Sequence, residues 1–234
     1  ERHLWLGDYQ AAEDAYGDAL ALASAIGDLS ARPLLLAELG WVGLLRGALV
    51  TAEHLSIEAA ELAEDLGNRR VWAHALRLKG EALLRRWEPD AATVALDRAL
   101  VVAEELGAPA EVAGVRCSQA CQALEEDRPD EARRLVGEAT TLSTLPHPMR
   151  RVSLRWVLGT AALMEGDLGV AEREFSDDLA LAEEGQIVRH QANSLWGIAR
   201  VRAAAGDVSQ AAVLHQRALA MRHRIGDRCG VVAF

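Results

Sequence analysis

Apolar positions recur along this chain at helical spacing, in stretches of about four turns separated by glycine, proline and aspartate. The plainest stretch runs from Leu29 to Asn68: an apolar run carrying Gly40, a break at Gly47, a second run around Ala52 and Ala59, and a stop at Leu66-Gly67-Asn68. The stop recurs as Ile26-Gly27-Asp28, Leu106-Gly107-Ala108 and Ile225-Gly226-Asp227. The inner break recurs as Trp87-Glu88-Pro89-Asp90, Asp127-Arg128-Pro129-Asp130, Gly166-Asp167 and Gly206-Asp207. A fixed period of about forty residues marks a helical solenoid built from helix–turn–helix units. It predicts a trailing helix pair at 1–28, full repeats at 29–68, 69–108, 109–147, 148–186 and 187–227, and the start of another at 228–234. Such an array has one continuous core and no internal domain boundary.

Three columns of small residues fix the packing. The first helices carry Gly40, Gly80, Ala120, Gly159 and Ala199; the second helices carry Ala12, Ala52, Ala92, Ala132, Ala171 and Ala211. Seven residues further on stand Ala19, Ala59, Ala99, Ala139, Asp178 and Ala218. Small residues on one face let neighbouring helices approach closely. Asp178 breaks its column, and Thr144-Leu145-Pro146-His147-Pro148 replaces the expected Leu-Gly turn, with the spacing shortened to 39. Two prolines there predict an extended, exposed hinge between the first three repeats and the last two.

Composition narrows the function. Half of the residues are hydrophobic but only 4% are aromatic, so alanine, leucine and valine pack the core. The net charge of −10 lacks the basic footprint of a nucleic-acid binder. No apolar run reaches the length of a membrane span, no basic-then-apolar leader is visible, and three cysteines are too few for a disulfide framework. A reducing cytoplasm is the expected setting. Glu1 is no initiator methionine, and Leu4-Trp5-Leu6 reads as the tail of a helix already under way, so a piece of a longer protein is expected.

No catalytic motif emerges. Gly166-Asp167-Leu168-Gly169 lacks the lysine and the preceding strand of a phosphate loop, and no His-Glu-x-x-His pair occurs. Cys117 and Cys121 would suit a soft metal site with His74, yet cysteines in an alanine-rich helix are ordinary buried small residues. No general base or orienting group accompanies them. No enzyme activity, metal or cofactor is therefore expected.

The three columns resemble the tetratricopeptide repeat (TPR) in its longer variant of about forty residues, over almost the whole chain. That resemblance implies an all-α fold, a right-handed α-α superhelix of antiparallel helix pairs. The Leu-Gly-Asp spacers, with the ending Arg217-Ala218-Leu219 through Gly230, also resemble the TPR domains of large actinobacterial regulators of the LuxR and antibiotic-regulatory types. In those proteins the array receives a signal for the rest of the chain.

The same resemblance assigns one face of each first helix to the concave groove. Counted from the small column, positions six before, three before, one after and four after share that face, being spaced three, four and three apart. Three of the six tryptophans fall on these twenty positions: Trp41, Trp156 and Trp196, the last two in the same column. The candidate binding residues are Trp41, His74, Arg77, Trp156, Asn193, Trp196 and Arg200. Aromatic anchors with arginine are the usual composition of a binding hot spot. The family's basic-and-asparagine clamp for a C-terminal carboxylate is not matched. Three readings stand: a groove for a peptide or protein segment, possibly from the same chain; a small-molecule effector site; and an autonomous enzyme. Equally open is whether the tryptophans fill space between helices.

Overall fold

The computed structural model describes residues 2–142 and 148–228, with 148–152 as backbone only. The turn expected to act as a hinge, 144–147, and the expected start of a further repeat, 229–234, lie outside the described residues. Every regular element among the described residues is an α-helix. They form two compact units, Tyr9–Gln119 and Ala120–Phe234, the latter joined by Glu1–Asp8. The division falls inside one helix.

The Tyr9–Gln119 unit holds α2 (Tyr9–Ile26), α3 (Arg32–Arg46), α4 (Leu49–Asp65), α5 (Arg69–Arg85), α6 (Pro89–Glu105) and the first part of α7 (Pro109–Glu125). Consecutive helices pack against one another, and alternate ones meet where α3 touches α5. The small columns do what their size predicts. A Cβ added at Gly80 would come 2.7 Å from the side chain of Leu96, and one at Gly40 would come 3.3 Å from the backbone oxygen of Ala52. Ala52, Ala59, Ala92 and Ala99 are fully buried.

The second unit holds α1 (Arg2–Leu6), the end of α7, α8 (Pro129–Leu142), α9 (Pro148–Met164), α10 (Leu168–Glu184), α11 (Val188–Ala204) and α12 (Val208–Ile225). Its largest fully buried side chain is Phe175 of α10. The ring occupies a slot between Gly159 of α9 and Gly197 of α11, where added Cβ atoms would come 2.8 and 2.6 Å from it. Around it gather Ala162, Ala171 and Val201. Trp5 of α1 packs on Ala182 and Ile187.

Turn chemistry sets the helix ends. The side chains of Asn68, Asp167 and Asp207 cap α5, α10 and α12, accepting from the amides of Val71, Val170 and Gln210, as expected for short polar residues before a helix. Gly47, Gly166 and Gly206 close first helices in the left-handed conformation, but Trp87 holds the same place with φ +62°. A bulky residue there is strained, and Trp87 is 83% exposed.

Ion pairs bridge successive repeats in a ladder. Arg46 pairs with Glu13 and Arg86 with Glu53, each linking the end of a first helix to the start of the second helix before it. In the other unit Arg202 of α11 pairs with Glu172 of α10 in the same sense, but one seam is reversed, with Glu165 just after the first helix α9 and Arg133 on the preceding second helix.

Candidate functional site

The expected binding residues divide between the units. In the Tyr9–Gln119 unit Trp41 is half-buried on α3, while His74 and Arg77 sit on α5. Both α5 side chains belong to a polar chain that crosses four helices. The Tyr16 hydroxyl of α2 donates to Glu38 of α3 at 3.1 Å. The other oxygen of Glu38 lies 3.5 Å from Nε2 of His74. Arg77 Nη2 is 3.1 Å from His74 Nδ1; since a guanidinium only donates, Nδ1 accepts and the ring proton sits on Nε2, toward Glu38. Arg77 also pairs with Glu81 one turn on, and the Ser118 hydroxyl of α7 donates to Glu81 at 2.7 Å.

The electrostatics follow from this arrangement. Burial would raise both carboxyls, but His74 and Tyr16 outweigh it at Glu38, and Arg77, Arg85 and Ser118 outweigh it at Glu81. Both stay below the usual carboxylate range. Arg77 is thereby engaged by its own helix face.

In the other unit Arg200 is held differently from Arg77. Asn193, Trp196 and Arg200 lie on one face of α11, and the Arg200 guanidinium stacks on the Trp196 indole, 4.8 Å from its centroid. Among the described residues no carboxylate pairs with Arg200, and burial lowers its pKa from the ordinary value. Arg222 of α12, itself buried, donates Nη2 to the Asn193 side-chain oxygen at 2.7 Å. Arg222 lies 3.6 Å from the fully buried Asp227, which also accepts from Arg189 at 3.2 Å. Because Arg222 can only donate, it fixes the amide of Asn193 with oxygen toward α12 and the NH₂ group turned elsewhere. The result is a face of donors, one of them a partly desolvated cation.

Trp156 is as much a core residue as a surface one. Its ring packs on a cluster that includes Leu124, Leu135 and Val157 and on the Phe175 cluster, and its buried Nε1 has no acceptor among the described residues. Trp196 belongs to neither cluster. Three positions beside the counted face also matter: Glu38 and Ser118, each two residues before the small column, and His190 of α11, whose Nε2 lies 3.5 Å from the Ser153 hydroxyl. The polar interruption of an otherwise apolar stripe was the available signal for Glu38 and Ser118. The broken alanine column at Asp178 was a signal of the same kind.

No protein-family model matches the chain, and no curated protein matches it in sequence. Solved structures do match it. The crystal structure of BtubC (BKLC) from P. vanneervenii aligns with TM-score 0.63 at 20% identity, covering 94% of this chain and 91% of that one. A putative kinesin light chain from Podosopora anserina with nearly identical TPR-like repeats aligns with TM-score 0.52 at 15% identity, over 81% of this chain and 94% of that one. A substituted variant of that kinesin light chain aligns with TM-score 0.54 at 15% identity, over 83% and 97%. The chain folds as a TPR-like helical solenoid. At these identities the likeness concerns the fold alone. No described helix of the solenoid is long and apolar enough to cross a membrane.

Proposed function

We propose that this solenoid is a protein-interaction module whose α11 face binds an extended or helical peptide segment carrying an acidic side chain. One observation carries the reading: Arg200 lies stacked on Trp196, partly desolvated and without a carboxylate, beside an asparagine whose amide group is oriented to donate. A desolvated cation with donors around it favours an anionic acceptor, and an aromatic platform supplies the apolar part of the contact. Trp156 contributes to the core of the same unit. His74 and Arg77 contribute mainly by holding the first helices of their own unit in register.

In this reading the module serves signal reception in a larger bacterial transcriptional or signalling regulator in the cytoplasm, which the turn sequences and the C-terminal Arg217–Gly230 stretch support. Selection of random displayed peptides on the wild-type chain and on the R200E and R77A variants tests the binding role. Wild type and R77A should enrich peptides with an aspartate or glutamate at a common position, whereas R200E should lose that enrichment. Recovery of no peptide family by the wild type would reject a peptide-binding role.

A further inference from the structure

Asp178 stands where five other repeats carry alanine, and it is fully buried. Its Oδ2 lies 2.5 Å from the Ser194 hydroxyl of α11, and the same hydroxyl lies 2.7 Å from the backbone oxygen of His190. Both neighbours of this hydroxyl are oxygens, and a hydroxyl has one proton to give. If Asp178 were ionised, both oxygens would compete for that proton. If Asp178 is a carboxylic acid, it donates to Ser194, Ser194 donates to the His190 carbonyl, and the chain from α10 to α11 is complete.

The surroundings agree. Arg155 of α9 is the cation nearest in effect, but it is engaged by Glu174 at 2.9 Å and Asp177 at 3.0 Å, both on α10 with Asp178. From α11 come Arg189, which pairs with Asp227, and His190 itself. The Ser153 hydroxyl of α9 lies 3.5 Å from His190 Nε2, but the second oxygen of Asp178 and the buried Nδ1 of His190 have no partner among the described residues, so each charged form is incompletely solvated by the protein. Burial pushes Asp178 up to about 7, against the smaller opposing effects of Ser194 and Arg155. Burial, helped by the Arg189 charge, pushes His190 down to about 3.

We propose that Asp178 is a proton-bearing carboxylic acid in the folded protein, and that it forms with His190 an opposed pair whose two titrations cancel at the α10–α11 contact. The signs run in opposite directions. Asp178 binds its proton more tightly folded than unfolded, so its contribution is complete at low pH and is lost as pH rises from the ordinary aspartate value toward about 7. His190 binds its proton less tightly folded, so its contribution is complete above the ordinary histidine value and is lost as pH falls toward about 3. Between roughly pH 4.5 and 6.5 one loss meets the other gain, and the contact that positions Asn193, Trp196 and Arg200 is insensitive to acidity.

Melting the full chain between roughly pH 4.5 and 6.5 tests the pair, with wild type, D178N, H190Q and the double variant measured together. Relative to wild type, D178N should gain Tm with rising pH by roughly 5–10 °C, H190Q should lose a similar amount, and the double variant should track wild type. D178N and H190Q curves parallel to wild type would overturn the proposal. A second measurement needs no substitution: in the wild-type chain with ¹³C-labelled aspartate, one carboxyl should stay protonated until near pH 7 by NMR titration. Ionisation of every aspartate by about pH 5 would overturn the proposal equally.

Discussion

The two units share one repeat pattern but place charge on their first helices in opposite ways. In the Tyr9–Gln119 unit, His74, Arg77 and Glu81 on the face expected to line the groove, with Glu38 beside it, neutralise one another. In the Ala120–Phe234 unit two carboxyls, Asp178 and Asp227, turn inward, and Arg200 of α11 is left stacked on an indole. A repeat architecture permits this because each repeat needs only its small columns and apolar contacts to stack. The remaining face positions can either cross-link neighbours or present donors. On the proposed reading, cross-linking and recognition fall to different repeats of one array.

The largest test of that contrast removes the part most peculiar to the second unit. Phe175→Ala empties the slot between Gly159 and Gly197, and burial of this kind contributes about 3–5 kcal/mol. Hydrogen exchange should show lost protection in α9 to α12 while α3 to α6 keep theirs. Uniform loss over both units would mean that they unfold as one body and that the contrast has no energetic meaning.

Acid offers a middle-sized test. Glu38 and Glu81 are held below the ordinary range, so their stabilisation is present above the unfolded-state value, about 4.3, and is lost as pH falls through their folded values. Between about pH 5 and pH 3, protection of the α3–α5 contact should therefore decline. Glu81→Gln should blunt that decline while lowering protection at pH 7 by about 1–3 kcal/mol, because Arg77 and Ser118 lose a charged partner. If the variant declines as steeply as wild type, the polar chain is ornamental and the two units differ less than their geometry suggests.

The smallest effect concerns a turn. Trp87→Gly relieves a left-handed conformation that costs a side-chain-bearing residue about 1 kcal/mol, and exposure of the ring means little packing is lost. Chemical denaturation should show stabilisation of that order, partly offset by the greater freedom of glycine in the unfolded chain. A loss of stability would show that the indole has a partner in solution.

Much of the fold was legible because a forty-residue period leaves little choice: glycines and alanines recurring in phase can only be helix contacts. The all-α TPR-like architecture follows from them. The face that carries Trp41, Trp156 and Trp196 was equally visible, but the state of each residue on it was not. Arg77 and Glu81, one turn apart, already spelled an ion pair, so the engagement of Arg77 could have been read. The contact between Arg222 and Asn193 joins residues 29 apart on different helices, and no local spacing announces it. Burial of Trp156 depends likewise on which neighbours carry glycine, a property of the assembled stack.

The ladder between repeats has a bearing on how such a chain can be rebuilt. Glu13 with Arg46, Glu53 with Arg86 and Glu172 with Arg202 place the cation on the later helix, whereas Arg133 with Glu165 places it on the earlier side of its seam. Repeats of one polarity are interchangeable among themselves. Transplanted next to a repeat of the other polarity, a module would meet its own sign at the seam, acid against acid or arginine against arginine. The reversed seam is thereby marked in charge, and an exchange of repeats is unopposed inside a polarity class and penalised across it.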